Sequence, residues 1–256
     1  MIVCKHISSA TGSGGFTLIE LMIAMTLTGL LVSGLVQIAS AASSSTRLQR
    51  NQAQIQESAR LAINHLSSVI RQSGFSPRPW DENYPRLGLS DNSLDQLTVS
   101  GDRLVISGWS DVNCFNNLNT QLDSFGQPAF HIREFQFDLN NSNGLTQQCR
   151  YGPSPGSLVT QIRRQGLIQG IEAFQLLYGD DPDRDGSIEA WVKAGNWSDP
   201  QNVLGLRVGL LLASEEAVTE RAPMTFTILD SIARKRADGR LRRVVQFTSA
   251  VRGNTG

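Results

Sequence analysis

The chain has 256 residues with 23 basic and 23 acidic side chains, so its formal net charge at pH 7 is zero. This balance gives no bulk attraction to a polyanion and argues against a nucleic-acid partner. Beyond an N-terminal segment and a long helix, roughly 180 residues are left, which is enough for one packed core.

A long apolar segment begins after a short polar head that ends at Gly14 and Gly15. Residues 21–46 carry no charged side chain, and a membrane-spanning helix needs about 20 such residues. One carboxylate, Glu20, lies at the start of the segment, and a charge that reaches the bilayer centre costs roughly 2.5–3.5 kcal/mol. Because the segment offers no cation, we expect the partner of Glu20 on another subunit or at a new N-terminus.

The run from Gly15 through Phe16 to Glu20 resembles the processing site of type IV prepilins and pseudopilins. The resemblance implies that residues 1–15 are a leader, that prepilin peptidase cuts after Gly15, and that Phe16 becomes an N-methylated first residue. It also implies that Glu20 pairs with the N-terminus of a neighbouring subunit during filament assembly. An ordinary secretory signal is cut after its apolar core, whereas this cut precedes the core. The alternative is an uncleaved single-span anchor in which Glu20 has no role.

The helix is predicted to continue beyond its membrane and assembly half, residues 16–42, as an amphipathic helix over residues 43–74. One face carries side chains spaced by three and four residues, the period of an α-helix. The predicted stripe consists of Leu48, Gln52, Ile55, Ala59, Ala62, Ile63, Leu66, Val69 and Ile70. Gly74 suits a left-handed cap, and prolines follow it, so we expect the helix to end at Ser73.

From Arg86 the pattern changes to short apolar runs separated by turn residues. The predicted strands are 97–99, 104–106, 130–137, one that carries Cys149, 158–162, 171–178, 188–192, 203–212 and 243–251. The 203–212 segment is apolar on both faces and is expected at the centre of the sheet. The predicted fold class is α+β, with the long helix packed by its second half on an antiparallel β-sheet head over residues 75–256.

Two cysteines remain in the exported part if the leader, which holds Cys4, is removed. An even pair in an exported domain indicates one disulfide, between Cys114 and Cys149, closing a loop of about 35 residues and contributing about 2–4 kcal/mol. Two free buried thiols are the alternative.

An acidic loop between two predicted strands has carboxylates at alternate positions before a glycine, a spacing that converges on a hard cation. The candidate calcium ligands are Asp181, Asp183, Asp185, Ser187 and Glu189. The twelfth position is Val192, not the glutamate of an EF-hand, so we expect a calcium loop between strands, completed by Asp180 or Asp199. The alternative is a solvated acidic turn.

Basic residues flank Asp238 and Gly239, and we interpret this segment as a cation-rich hairpin tip. The flanking cations are Arg234, Lys235, Arg236, Arg240, Arg242 and Arg243. The tip is either a patch for DNA or an acidic partner, or a solvated hairpin whose arginines discourage edge pairing. We interpret His65 and His131 as structural. The sequence shows no catalytic constellation, so the chain is not predicted to be an enzyme.

Later segments are similar to PilW-type minor pilins in particular, at residues 60–75, 170–180, 206–212 and 242–254. Where that family tends to close with Arg-Asn, this chain has Arg252-Gly253-Asn254. The resemblance implies a minor pilin, processed by prepilin peptidase, that helps to initiate assembly of type IV pili and so supports twitching motility or adhesion.

The partners implied are prepilin peptidase, other minor pilins, the major pilin and the bacterial inner membrane. The chain would span that membrane once with its head in the periplasm, and would then move into the pilus at the cell surface. Two alternatives stay open: a minor pseudopilin of a type II secretion system, and a pilus-tip binding module such as an adhesin or DNA receptor.

Overall fold

The computed structural model describes residues 15–95, 101–235 and 237–251. Over these residues the elements are α1 (Leu18–Gln72), β1 (Leu104–Ser110), β2 (His131–Leu139), β3 (Gly144–Gly152), β4 (Val159–Gln169), β5 (Ile171–Asp180), β6 (Ala190–Val192), β7 (Val203–Ala217), β8 (Met224–Ile228), β9 (Ser231–Lys235) and β10 (Arg240–Ala250). The leader up to Gly14, the predicted strand 97–99, Arg236 and residues 252–254 lie outside the described residues.

Helix α1 begins at Leu18, two residues after the predicted start at Phe16, and ends at Gln72, one residue before the predicted end at Ser73. The hydroxyl of Thr17 accepts a hydrogen bond from the Glu20 amide at 3.3 Å, which satisfies one of the amides left free at a helix start. After Gln72 the chain turns at Gly74, which has a φ of 75°. The Gly74 amide donates to the Ser107 carbonyl at 2.9 Å, so the helix end is fixed to strand β1.

The chain divides into two compact units between Arg47 and Leu48. Within the first unit, the large apolar side chains from Phe16 to Ile38 are all exposed. By length and composition this part of α1 belongs to a helix that could cross a membrane. The predicted boundary between the membrane half and the amphipathic half of the helix, at residues 42 and 43, stays a prediction. The division into two units does not show where a membrane segment would end.

In the second unit, the amphipathic face of α1 is buried against the β-sheets. The buried helix residues are Asn51, Ile55, Ala59, Ala62, Leu66, Ser67, Val69 and Ile70, so most of the predicted stripe is confirmed. Gln52 was placed wrongly, because it is exposed and Asn51 is buried instead. Asn51 lies four residues before Ile55, and its side-chain carbonyl accepts the Glu216 amide at 3.5 Å.

The strands form two four-stranded antiparallel sheets and one separate hairpin. The first sheet has the order β1-β2-β3-β4, the second has the order β10-β7-β5-β6, and β8 pairs with β9. Strand β7 lies between β10 and β5, which confirms the central position predicted for residues 203–212. Strands β8 and β9 were not predicted from the sequence.

The second sheet is covered on both faces. Phe174 and Leu210 belong to the main core together with the buried face of α1. Their chain neighbours Ala173 and Leu211 point the other way and pack with Ile228 and Ala233 of the β8–β9 hairpin. Side chains alternate between the faces of a strand, so α1 and the hairpin lie on opposite faces of this sheet. The α+β fold class is confirmed.

Candidate functional site

The chain around the predicted cleavage point is accessible and lies before the helix. Gly15, Phe16 and Thr17 are exposed and outside α1, and a Cβ added at Gly15 would meet no atom within 4 Å. The Phe16 side chain is 82% exposed. A peptidase could therefore reach the Gly15–Phe16 bond without unwinding the helix.

Glu20 lies in the first turn of α1, where the helix dipole favours a negative charge. Within the described residues, its carboxylate has no hydrogen bond or ion pair. The surrounding large side chains, such as Ile19 and Ile23, are apolar and exposed. If this turn lies in lipid, the carboxylate requires a partner that the described residues do not supply.

Cys114 and Cys149 form a disulfide, which agrees with the predicted pairing. Cys149 is on β3, and Cys114 is in the long connection between β1 and β2. Both are buried, and the Cys114 amide also donates to Gln161 on β4 at 3.0 Å. The bridge therefore fixes the connection to the first sheet.

The acidic loop brings its carboxylates together between β5 and β6. Oxygen atoms of Asp181, Asp183, Asp185 and Glu189 all lie within 4.8 Å of one another. The chain reverses sharply at Gly186, which has a φ of 90°. A cluster of this composition and size could surround one calcium ion, and the calcium prediction stays a prediction.

Amides of the loop donate hydrogen bonds to three of its carboxylates, those of Asp181, Asp183 and Asp185. Asp181, which is 2% exposed, accepts the amides of Asp185 at 3.1 Å and Gly186 at 2.9 Å. Asp185 accepts the Ser187 amide at 2.8 Å. Desolvation, together with the charges of the three aspartates, raises the pKa of Glu189. The cluster therefore favours a proton or a cation at this point.

The two acids suggested as further ligands have other partners. Asp180 accepts the amide and the hydroxyl of Ser198 at 3.0 and 2.9 Å. Asp199 caps a short 3-10 turn by accepting the Gln201 amide at 2.8 Å. Neither belongs to the carboxylate cluster found over the described residues.

The hairpin predicted around Asp238 and Gly239 is wrong. Strand β9 pairs with β8 and strand β10 pairs with β7, so the strands on either side of Gly239 do not pair with each other. The reason is the unpredicted β8–β9 hairpin, which uses Lys235 and Arg234 in its own ladder.

Several cations of this segment surround the carboxylate of Glu172 on β5, a residue that is 5% exposed. Its carboxylate lies 2.8 Å from Arg242 Nε, 3.1 Å from Arg240 and 3.4 Å from Lys235. Arg242 also pairs with Asp238, and its side chain is 3% exposed. These three cations are therefore paired inside the fold, which contradicts both the patch and the solvated-hairpin interpretations for them.

The histidines have structural surroundings, as expected. His65 Nε2 lies 2.6 Å from Gln147 Oε1, and its ring meets Phe137 edge-on. His131 contacts Gln121 through Nε2 at 3.1 Å, and burial lowers the pKa of its imidazole.

One serine pattern was missed in the sequence. Residues 152–156 read Gly-Pro-Ser-Pro-Gly, and Gly-x-Ser-x-Gly marks the nucleophile of some hydrolases on a strand-to-helix turn. Here Ser154 precedes the 3-10 turn Pro155–Ser157, and its hydroxyl lies 3.0 Å from that of Ser157. No histidine within the described ranges bonds to it, so this is a surface turn.

Two family models match this chain, one near each end. The family described as "Type IV Pilus-assembly protein W" matches residues 145–253, and the "Prokaryotic N-terminal methylation motif" matches residues 11–36. No curated protein matches the chain.

Among solved structures, the chain is similar to a type IV-like pilin, TTHA1219, from Thermus thermophilus. The two share 15% sequence identity with a TM-score of 0.51, and the match covers 78% of this chain and 97% of that chain. At this identity the likeness shows the fold alone. The methylation motif, the W-family match and this fold together support a place in the type IV pilin superfamily, with a PilW-like C-terminal part.

Proposed function

We propose that this chain is a minor pilin that helps to initiate assembly of type IV pili. The observation that carries the proposal is the joint presence of the W-family match over residues 145–253 and the methylation motif over residues 11–36. Pilins are structural proteins, so adhesion or twitching would come from the filament and not from chemistry of this subunit.

The first step is removal of residues 1–15 by prepilin peptidase. Cleavage after Gly15 converts the amide nitrogen of Phe16 into an amine, which is cationic at neutral pH and would be methylated. The exposure of Gly15 and Phe16 supports access by the enzyme. Before cleavage the same nitrogen belongs to a peptide bond and carries no charge.

The second step is pairing between subunits in the membrane. A carboxylate at Glu20 costs free energy in lipid unless it meets a cation, and the new N-terminus of a neighbouring pilin is that cation. The exposed apolar side chains from Leu18 to Ile38 would then pack against the helices of other minor pilins and the major pilin.

The same features support a compartment for each part of the chain. Residues 16–42 would span the inner membrane once, followed by the amphipathic half of the helix, residues 43–74. The head, residues 75–256, would lie in the periplasm, where a disulfide such as Cys114–Cys149 persists. After assembly the head would be on the pilus at the cell surface.

The test is deletion in the producing bacterium, scored by electron microscopy of surface pili, with complementation by the wild-type chain or by Gly15→Leu. We expect few or no pili in the deletion strain, rescue by the wild type and no rescue by the variant. Intact-mass spectrometry should show a chain that begins at methylated Phe16.

Other results would point elsewhere. Normal piliation with loss of ligand capture would favour a tip-binding module, and a defect confined to protein secretion would favour a type II pseudopilin. A mature chain that still begins at Met1 would refute the processing step itself.

A further inference from the structure

The two four-stranded sheets end in four edge strands, and three of them are unsuited to pairing with another chain. β1 is covered by the segment before it, since the Ser107 amide donates to Gly88 at 2.8 Å and the Ser90 amide donates to Val105 at 3.0 Å. β6 has 3 residues. β4 shifts register against β3 at three places, and such bulges turn an edge away from a partner.

Strand β10 is different. It has 11 residues, and from Arg242 to Ala250 its register with β7 runs without a shift. It lies at the end of its sheet, so its outer row of amides and carbonyls pairs with no strand of the described chain. A long regular edge of this kind is a template for an added strand.

A groove of about 560 Å³ runs beside this edge, between β10 and helix α1. It is lined by Gln56, Ala59, Arg60, Ile63 and Asn64 of α1 and by Arg243 and Val245 of β10. Ile63 and Val245 are half-buried and give the groove an apolar floor. Alternate side chains of an added strand would face this floor.

The rim of the groove carries one uncompensated cation. Arg60 is paired with Glu57 at 2.6 Å. Arg243 is exposed and, within the described residues, has no hydrogen bond or ion pair. An arginine on an edge strand opposes pairing with a basic edge and favours a carboxylate directly opposite. The groove is therefore complementary to a segment that is both apolar and acidic.

We propose that the β10 edge and this groove bind an extended acidic segment of another pilin-superfamily subunit, which adds to the second sheet as a strand. Apolar side chains of that segment contact Ile63 and Val245, and an aspartate or glutamate pairs with Arg243. The inference rests on the proposed function, because it requires that this chain assembles with other pilins.

The test uses the full chain in its producing bacterium, with a photo-crosslinking amino acid placed at one exposed position at a time. The probe sites are Asn64 on the groove rim and Gln246 and Thr248 on β10, and the control site is Gln165 on β4. We expect crosslinks from the three probe sites to a subunit that carries a prepilin processing motif. The partner residues reached from Gln246 and Thr248 should be two residues apart, as in a paired strand.

The charge is tested by Arg243→Glu, with Arg163→Glu on β4 as a matched control, since Arg163 is also exposed on an edge strand. Crosslinking from Asn64 should fall about tenfold in the first variant, which corresponds to about 1.4 kcal/mol, and should be unchanged in the second. Folding of each variant is checked by the fraction of chain with an oxidised Cys114–Cys149 pair. A lysine at the crosslinked acid of the partner should restore binding to Arg243→Glu.

The proposal is overturned if both variants crosslink equally, if the probes reach only proteins without a prepilin motif, or if no crosslink forms while pili are normal and require this chain. Failure of the proposed function gives a different result, which is normal piliation when this chain is deleted.

Discussion

Replacing Glu172 by Gln tests whether the buried ion network stabilises the head. The carboxylate is surrounded by Arg242, Arg240 and Lys235 at 2.8 to 3.4 Å. The network joins the central part of the second sheet to β9 and β10. Glutamine keeps the shape of the side chain but removes the negative charge, so the substitution isolates the electrostatic contribution.

The expected cost follows from burial. Removing one partner of a buried pair costs about 3–5 kcal/mol, because the remaining charge is left uncompensated. Arg242 would keep Asp238 as a partner, so we expect the lower end, a loss of about 3 kcal/mol in the free energy of unfolding. The control is Glu57→Gln, which breaks an ion pair whose side chains are 54% and 61% exposed and should leave stability unchanged.

The assay is urea unfolding of the full chain in detergent, followed by tryptophan fluorescence. All four tryptophans lie beyond residue 75, so the signal reports on the head. With a slope of about 2 kcal/mol per molar urea, the midpoint of Glu172→Gln should fall by about 1.5 M. Equal midpoints for Glu172→Gln and Glu57→Gln would refute the reasoning.

The difference in the free energy of unfolding between the wild type and Glu172→Gln should depend on pH. Burial by itself raises the pKa of Glu172, but the hydrogen bond from Arg242 and the charges of Lys235, Arg242 and Arg240 outweigh it, so the pKa lies below its ordinary value. Such a group contributes stability above its unfolded pKa, about 4.3, and loses it as the pH falls through the folded pKa. The difference between wild type and variant should therefore shrink below about pH 4.

Three other substitutions have defined outcomes. Cys149→Ser opens a loop of 35 residues and should lower the free energy of unfolding by about 4 kcal/mol; equal urea midpoints without reductant would contradict this. Calorimetric titration with calcium chloride should give heat of binding for the wild type and none for Asp183→Asn. If the wild type gives no heat either, the calcium prediction is wrong. Gly108→Ala places a Cβ 2.7 Å from the Gln72 carbonyl and should cost about 1–3 kcal/mol; an unchanged melting temperature would show that this contact relaxes freely.

The parts of the fold that the sequence predicts are those with a clear period or a clear composition. The helical period predicts the buried face of α1, and the run 203–212, apolar on both faces, predicts its central position. β8 and β9 are 5-residue strands in which apolar and polar residues alternate only briefly. Their buried side chains pack on a face of the second sheet that is distant in the sequence, and no local pattern shows this contact.

The cationic segment shows the same limit in electrostatic terms. Six basic residues near Gly239 look solvated in the sequence because their nearest acid is Asp238. The fold places Glu172 against three of them by pairing β5 with β7 and β7 with β10. Charges that are neighbours in the sequence do not reveal an acid that is 70 residues from Arg242. The sequence therefore does not distinguish the buried arginines of this segment from the exposed ones.

Glu20 and Glu172 differ in where their counter-charges lie, so their substitutions should change different properties. Glu172 has its cations inside the head, so its loss lowers head stability. Glu20 has none within the described residues, so Glu20→Gln should leave the urea midpoint of the head unchanged and abolish the rescue of piliation in the deletion strain. Because the neutral side chain is cheaper in lipid, the variant should also remain in the membrane fraction. Pili restored to wild-type numbers by Glu20→Gln would show that pairing to a neighbour's N-terminus is not what drives assembly.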